Sequence, residues 1–164
     1  MPEIINIVEK CLNPKIEKRG LVKIKPDNRE ARKHLEKAED NLRAMELLYD
    51  NAFYDWTIVV GYYAVYHAVL ALLRNIGLLG LTHKCSLNAF ELFFISKGKI
   101  EPKFSEYFKR AKILEKKYSE NIEKARRQRV TFQYRAVELE NKDVRWVLDA
   151  SREFVERCLK IVIE

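Results

Sequence analysis

The residues with chemistry to offer are three histidines, His34, His67 and His83, a set of tyrosines, and one dense run of cations. Between positions 109 and 129 stand nine Lys or Arg against three Glu, while the whole chain carries a formal charge of +7. A charge so concentrated draws a polyanion to one face; its plainer reading is a solvated helix face. Lys124, Arg126, Arg127 and Arg129 are the candidates for phosphate contact, and Arg129 would serve equally as a cap at a helix C-terminus. Tyr63 stands one helical turn before His67, so the two face one side and can share a pocket. The plainer reading of His67 is a hydrogen-bonded core histidine. His83 follows a glycine-containing loop at an expected helix start, where an exposed imidazole could join a composite site. Tyr134 either packs its ring with the hydroxyl at the surface or lends that hydroxyl as a donor.

Other chemistries lack their residues. The histidines share no ligand spacing, and Cys11, Cys85 and Cys158 are odd in number, widely spaced and free of CxxC. That pattern fits neither a disulfide framework nor a thiolate metal site, so no metal and no cofactor are expected, and a reducing cytoplasm fits best. There is no glycine-rich phosphate loop, HExxH or GxSxG. The start MPEIINIVEK mixes acids among its apolar residues and does not read as a signal peptide.

These side chains need elements to position them. With five Gly and four Pro in 164 residues, long uninterrupted tracts favour helices, and the length fits one domain with one core. Residues 1–26 read as a short helix and an extended arm, and residues 27–164 as an up-and-down all-α bundle of four to five helices. Asp27 and Glu30 form a capping-box pattern ahead of a stripe made by Ala31, Leu35, Ala38, Leu42, Met45 and Leu48. From Trp56 to Leu73, fifteen of eighteen residues are apolar, which demands burial in a bundle or a bilayer. Tyr62, Tyr63, Tyr66 and His67 in its middle would lack polar partners in lipid, so a central bundle helix stopped by Gly77 is expected, with no membrane. A third helix is expected from about Thr82 to Lys97, ended by Gly98. A fourth opens at Pro102 with Phe104, Phe108, Ala111, Leu114, Tyr118, Ile122 and Ala125 inward and its other face basic. A last helix capped by Asn141 lines up Val144, Leu148, Ser151, Val155, Cys158 and Val162. No repeat and no convincing hairpin is present.

Four motifs in order carry a family resemblance: YYAVYHA at 62–68, THK at 82–84, FFISKGKI at 93–100 and RVTFQY at 129–134. Together with the arm and cap over 21–42, they make residues 21–162 resemble the small stand-alone branch of the HEPN domains. The resemblance implies a homodimeric helical bundle, often encoded beside a minimal nucleotidyltransferase as toxin and antitoxin. Many members are metal-independent endoribonucleases whose motif is an Arg followed, after four to six residues, by a His. The imidazole exchanges protons with the ribose hydroxyl and the leaving oxygen, and the Arg steadies the phosphate. Here Arg129 stands for that Arg, and Tyr134 occupies the His position after four intervening residues. A phenol of pKa ~10 is a poor base at neutral pH and serves mainly to donate or orient.

The expected function is therefore an RNA- or nucleotide-binding, toxin-like HEPN module acting through Arg129, Tyr134 and the basic face. Two alternatives stand beside it. One is an active endoribonuclease that borrows His83 or uses Tyr134; the other is a dimeric or partner-binding scaffold, in which Tyr134 could receive a nucleotide from the partner enzyme.

Overall fold

Asp27 accepts a hydrogen bond from the Glu30 amide at 3.0 Å, which satisfies one of the unpaired donors of a helix N-terminus and starts the first long helix. The reciprocal half of the capping box is not made: the Asp27 amide donates to the Arg74 carbonyl at 3.1 Å, and the Glu30 carboxylate pairs with Lys33 at 2.6 Å. The structure, a computed structural model, describes residues 2–16, 19–108 and 141–163, with side chains of the last stretch from Val144 onward. Its elements are α1 (Pro2–Leu12), β1 (Leu21–Lys23), α2 (Asn28–Asp50), α3 (Tyr54–Asn75), β2 (Leu78–Gly80) and α4 (His83–Phe90). A π-helical turn (Glu91–Ile95), a helix α5 described over 103–108, and α6 (Asn141–Ile163) complete them. The all-α class expected from the sequence is what forms.

The apolar tract is α3, and it is buried in protein rather than offered to lipid. Twelve of its residues are buried, among them Ile58, Ala64, Val65, Val69, Leu72 and Leu73. It is the one described helix long and apolar enough to cross a membrane, and two thirds of that window lies inside the fold. α2 covers one side of it through Ala31, Leu35, Ala38 and Met45, and α6 another through Val144, Val147, Leu148 and Val155. Each Val, Leu or Met side chain so removed from water contributes about 1.5–3 kcal/mol, and the alanines less. All six α6 positions expected to face inward are buried, together with Phe154. Ser151 is tolerated at 0% exposure because its hydroxyl pairs with the Tyr107 hydroxyl at 2.5 Å. Phe90, Phe94, Phe104, Phe108 and Phe154 close the far end of the core, Phe90 stacked on Phe94 and the other pairs edge-on or tilted.

Three features depart from expectation. The extended arm is a true strand: β1 pairs antiparallel with β2, Leu21 opposite Gly80 and Lys23 opposite Leu78. This pairing joins segments far apart in sequence, so no hairpin pattern announces it. It forces Gly77, whose φ is +79°, since an added Cβ would lie 2.7 Å from the Ile24 carbonyl oxygen. The third helix does not run α-helically to Lys97; it converts at Glu91 to a π turn in which the Ser96 amide donates to the Glu91 carbonyl. The reading of the cysteines is corrected most clearly. Cys11 and Cys85 form a disulfide across 74 residues, pinning α1 to the first turn of α4, while Cys158 stays free and buried. Spacing could not show it, because only packing brings α1 and α4 together.

Closing a loop of that length removes chain entropy worth about 4 kcal/mol. Thiol reductant, or Cys11→Ser, should therefore lower the urea unfolding midpoint markedly, while Cys158 labels only after unfolding. An unchanged midpoint under reductant, with both thiols shown free by mass spectrometry, would refute the tether's contribution to stability.

Candidate functional site

Apart from Val60 and the two helix ends, the residues of α3 that are not fully buried fall on one stripe: Trp56, Val59, Tyr63, His67, Leu70 and Arg74, at helical steps of three and four. Trp56 is 59% and Tyr63 43% exposed, so this face presents aromatic rings to solvent. Polar networks flank it on both sides.

On the α4 side, Tyr62 is only 2% exposed and its hydroxyl lies 2.8 Å from His83 Nδ1. The His83 ring stacks on Tyr66 with centroids 4.0 Å apart and lies nearly parallel to Tyr62 at 5.8 Å. The Tyr66 hydroxyl donates to Ser86 Oγ at 3.4 Å, and Ser86 donates onward to the Thr82 carbonyl at 2.9 Å. Burial holds the Tyr66 phenol above its usual pKa, partly offset by the Ser86 bond, so it remains a donor at neutral pH. Thr82 caps α4 by accepting from the Cys85 amide, and the disulfide at Cys85 anchors the same turn. The consequence is an exposed imidazole whose plane and Nδ1 are both held by tyrosines. An oriented, accessible histidine of this kind is suited to proton exchange with a ligand.

On the α2 side, His67 Nδ1 faces His34 Nδ1 at 3.1 Å. One ring must donate and the other accept, which requires the accepting ring to carry no proton on Nδ1 and excludes two imidazolium ions. Burial first, then the charges of His67 and Arg74, push His34 down to about 4, against a smaller opposing pull from Glu30. Burial and the Lys37 ammonium push His67 down as well.

The expected site residues thus separate. His67 and Tyr63 do share a helix stripe, but the partner of His67 is His34, while the Tyr63 ring meets Tyr62 edge-on. His83 lies on the opposite flank of the same helix. Lys124, Arg126, Arg127, Arg129 and Tyr134, and the basic face with them, lie outside the described residues. Sequence reasoning does not single out His34, Tyr62, Tyr66 or Ser86 as members of a site. One signal for His34 exists: α2 and α3 are nearly equal in length and joined by the turn at 51–53, so residues at similar distances from the turn meet. Among the described residues, no three His, Cys, Asp or Glu side chains gather as a metal site.

The ordered motifs and the helical hub find their counterpart in known proteins. The model of the HEPN domain matches residues 31–164. This chain belongs to the HEPN family. The match runs from α2 through α6 and takes in both flanks of the α3 face; α1 and β1 precede it. Among relatives, the HEPN chain is 29% identical over 136 residues to a Methanocaldococcus jannaschii protein named "Putative toxin MJ0142", covering 82% of this chain and 83% of that one. It is 36% identical over 67 residues to a second protein of the same organism, "Putative toxin MJ0605", covering 41% of this chain and half of that protein.

The histidine pair makes stability depend on pH. Unfolded, His34 takes a proton near its ordinary value of 6.5; folded, it resists until about 4. The pair's contribution is complete above pH 6.5 and is lost as pH falls toward 4, because the unfolded chain then binds more protons. Urea unfolding from about pH 7.5 to about 4.5 should show this decline, and His34→Gln, which keeps a hydrogen-bonding side chain, should flatten it. An equally steep decline in that variant would assign the effect to other groups.

Proposed function

We propose that this HEPN protein is a toxin-like module that binds RNA or a nucleotide, and that it acts in the cytoplasm as a homodimer beside a minimal nucleotidyltransferase antitoxin. The observation that carries the reading is the family match together with a relative named as a toxin, aligned over more than four fifths of both chains. The localised charge of the 109–129 run supports the ligand class, since polyanion affinity follows clustered Lys and Arg. Homodimerisation is supported by Leu47, Phe53 and Trp56, which are 66%, 57% and 59% exposed around the α2–α3 turn.

A second reading, metal-independent RNA cleavage, is favoured by one specific observation: His83 is exposed and held by Tyr62 and Tyr66. Its imidazole would take the ribose 2′-hydroxyl proton as that oxygen attacks the adjacent phosphate, and Arg129 would stabilise the crowded phosphate while the 5′-oxygen leaves. Tyr134 would orient or donate. A pure scaffold requires neither group.

Single-stranded RNA should bind with an affinity that falls steeply as salt is raised. Neutralising Arg126, Arg127 and Arg129 together should flatten that dependence by about one unit of slope for each phosphate left without its cation. Binding that ignores salt would discredit the basic run as the RNA surface. Cleavage, if it is the function, should persist in chelator and vanish in His83→Ala and Arg129→Ala; intact RNA after long incubation leaves binding alone. Light scattering should report a dimer that Trp56→Glu splits, and a monomeric parent would refute the homodimer.

A further inference from the structure

The stretch FFISKGKI has no role in either reading, yet it builds one wall of a pocket on a side of the molecule defined by the sheet. The pocket measures about 600 Å³ and is lined by Lys23, Ile24, Phe93, Lys97 and Lys99, with the α3–β2 turn at Ile76–Leu78 as its floor. Three separate segments meet there: the end of β1, the turn fixed by Gly77, and the π turn that carries Phe93. Three lysines are among its lining residues and no Asp or Glu is. All three lysines are exposed, and none forms an ion pair among the described residues. Lys99 is positioned by the Phe94 ring, whose centroid lies 5.6 Å from its Nζ.

Like charges gathered on apolar walls repel one another and focus a positive potential into the concavity, an arrangement that an anion relieves. The volume falls in the range of small-molecule sites, and Phe93 places an aromatic side chain, the type on which a flat ring packs, in the lining. A π turn interrupts a helix at some cost in regularity, and such turns concentrate at functional positions; this one places Phe93, half-buried, at the pocket and Phe94 in the core. We propose that this pocket binds a nucleoside phosphate, with Lys23, Lys97 and Lys99 on the phosphates and the base against Phe93. The ligand class follows from cations and an aromatic wall in one concavity. Its lining residues are neither those of the 109–129 run nor His83, and it deepens the nucleotide half of the proposed function while resting on it only for the context in which such a ligand is met.

The test uses the full chain, free of any tag, and titrates adenosine triphosphate, inorganic triphosphate and single-stranded RNA by calorimetry at low salt. ATP should bind saturably with one site per chain. Lys23→Ala/Lys97→Ala/Lys99→Ala should weaken ATP at least about tenfold, the equivalent of removing a single charge-assisted hydrogen bond. Phe93→Leu, which preserves packing against the core, should weaken ATP and leave inorganic triphosphate unchanged. RNA binding should survive in the triple-lysine variant and fall when Arg126, Arg127 and Arg129 are neutralised, so that a failure of RNA binding with ATP binding intact counts against the basic run and not against the pocket. No saturable ATP binding, or a triple variant that binds ATP as tightly as the parent with an unchanged circular dichroism spectrum, overturns the proposal.

Discussion

The burial of α3 is the constraint on which the rest depends. A helix apolar on every side must be surrounded, and in this fold α2, α6 and α4 supply the cover, leaving open chiefly the stripe from Trp56 to Arg74. Because its neighbours are dictated by that need, the tyrosines and histidine of the YYAVYHA motif reach different surroundings within two turns. Tyr62 and Tyr66 point under α4, His67 turns toward α2, and Tyr63 faces solvent. One burial requirement thus distributes polar groups to two flanks of a single helix.

The N-terminal segment secures this arrangement although it precedes the family match. β1 pairs with β2 directly after α3, and the Cys11–Cys85 bond fastens α1 to the turn that carries His83, Thr82 and Ser86. Backbone pairing on one side and a covalent link on the other hold the start of α4, so the orientation of His83 depends on residues distant in sequence. The same sheet leaves its end, with Lys23, beside the π turn, which is how a lysine-lined concavity arises without any local motif for it.

The two flanks of α3 hold their imidazoles in different surroundings. Stacked and hydrogen-bonded to tyrosines, His83 sits at the surface, whereas His34 and His67 share one hydrogen bond in a half-buried place flanked by Arg74 and Lys37. A pair that burial and neighbouring cations discourage from taking protons is a structural joint between α2 and α3 at physiological pH; an accessible oriented imidazole is a reagent. The distinction comes from burial and neighbouring charge, since the residue type is the same.

Sequence by itself determined the helical class, the caps and the inward faces, because these follow from local periodicity: the α6 stripe from Val144 to Val162, the Asp27 cap and the enclosure of the Trp56–Leu73 tract all rest on neighbours within a few turns. The ordered motifs were also legible, and with them the family. Tertiary structure alone decided the β1–β2 pairing, the disulfide, the His34–His67 contact, the tyrosine cradle of His83 and the pocket at Lys23, Phe93, Lys97 and Lys99. Each joins residues dozens of positions apart or separate elements. Spacing along the chain carries no information about such meetings until packing of the apolar helix sets which surfaces touch.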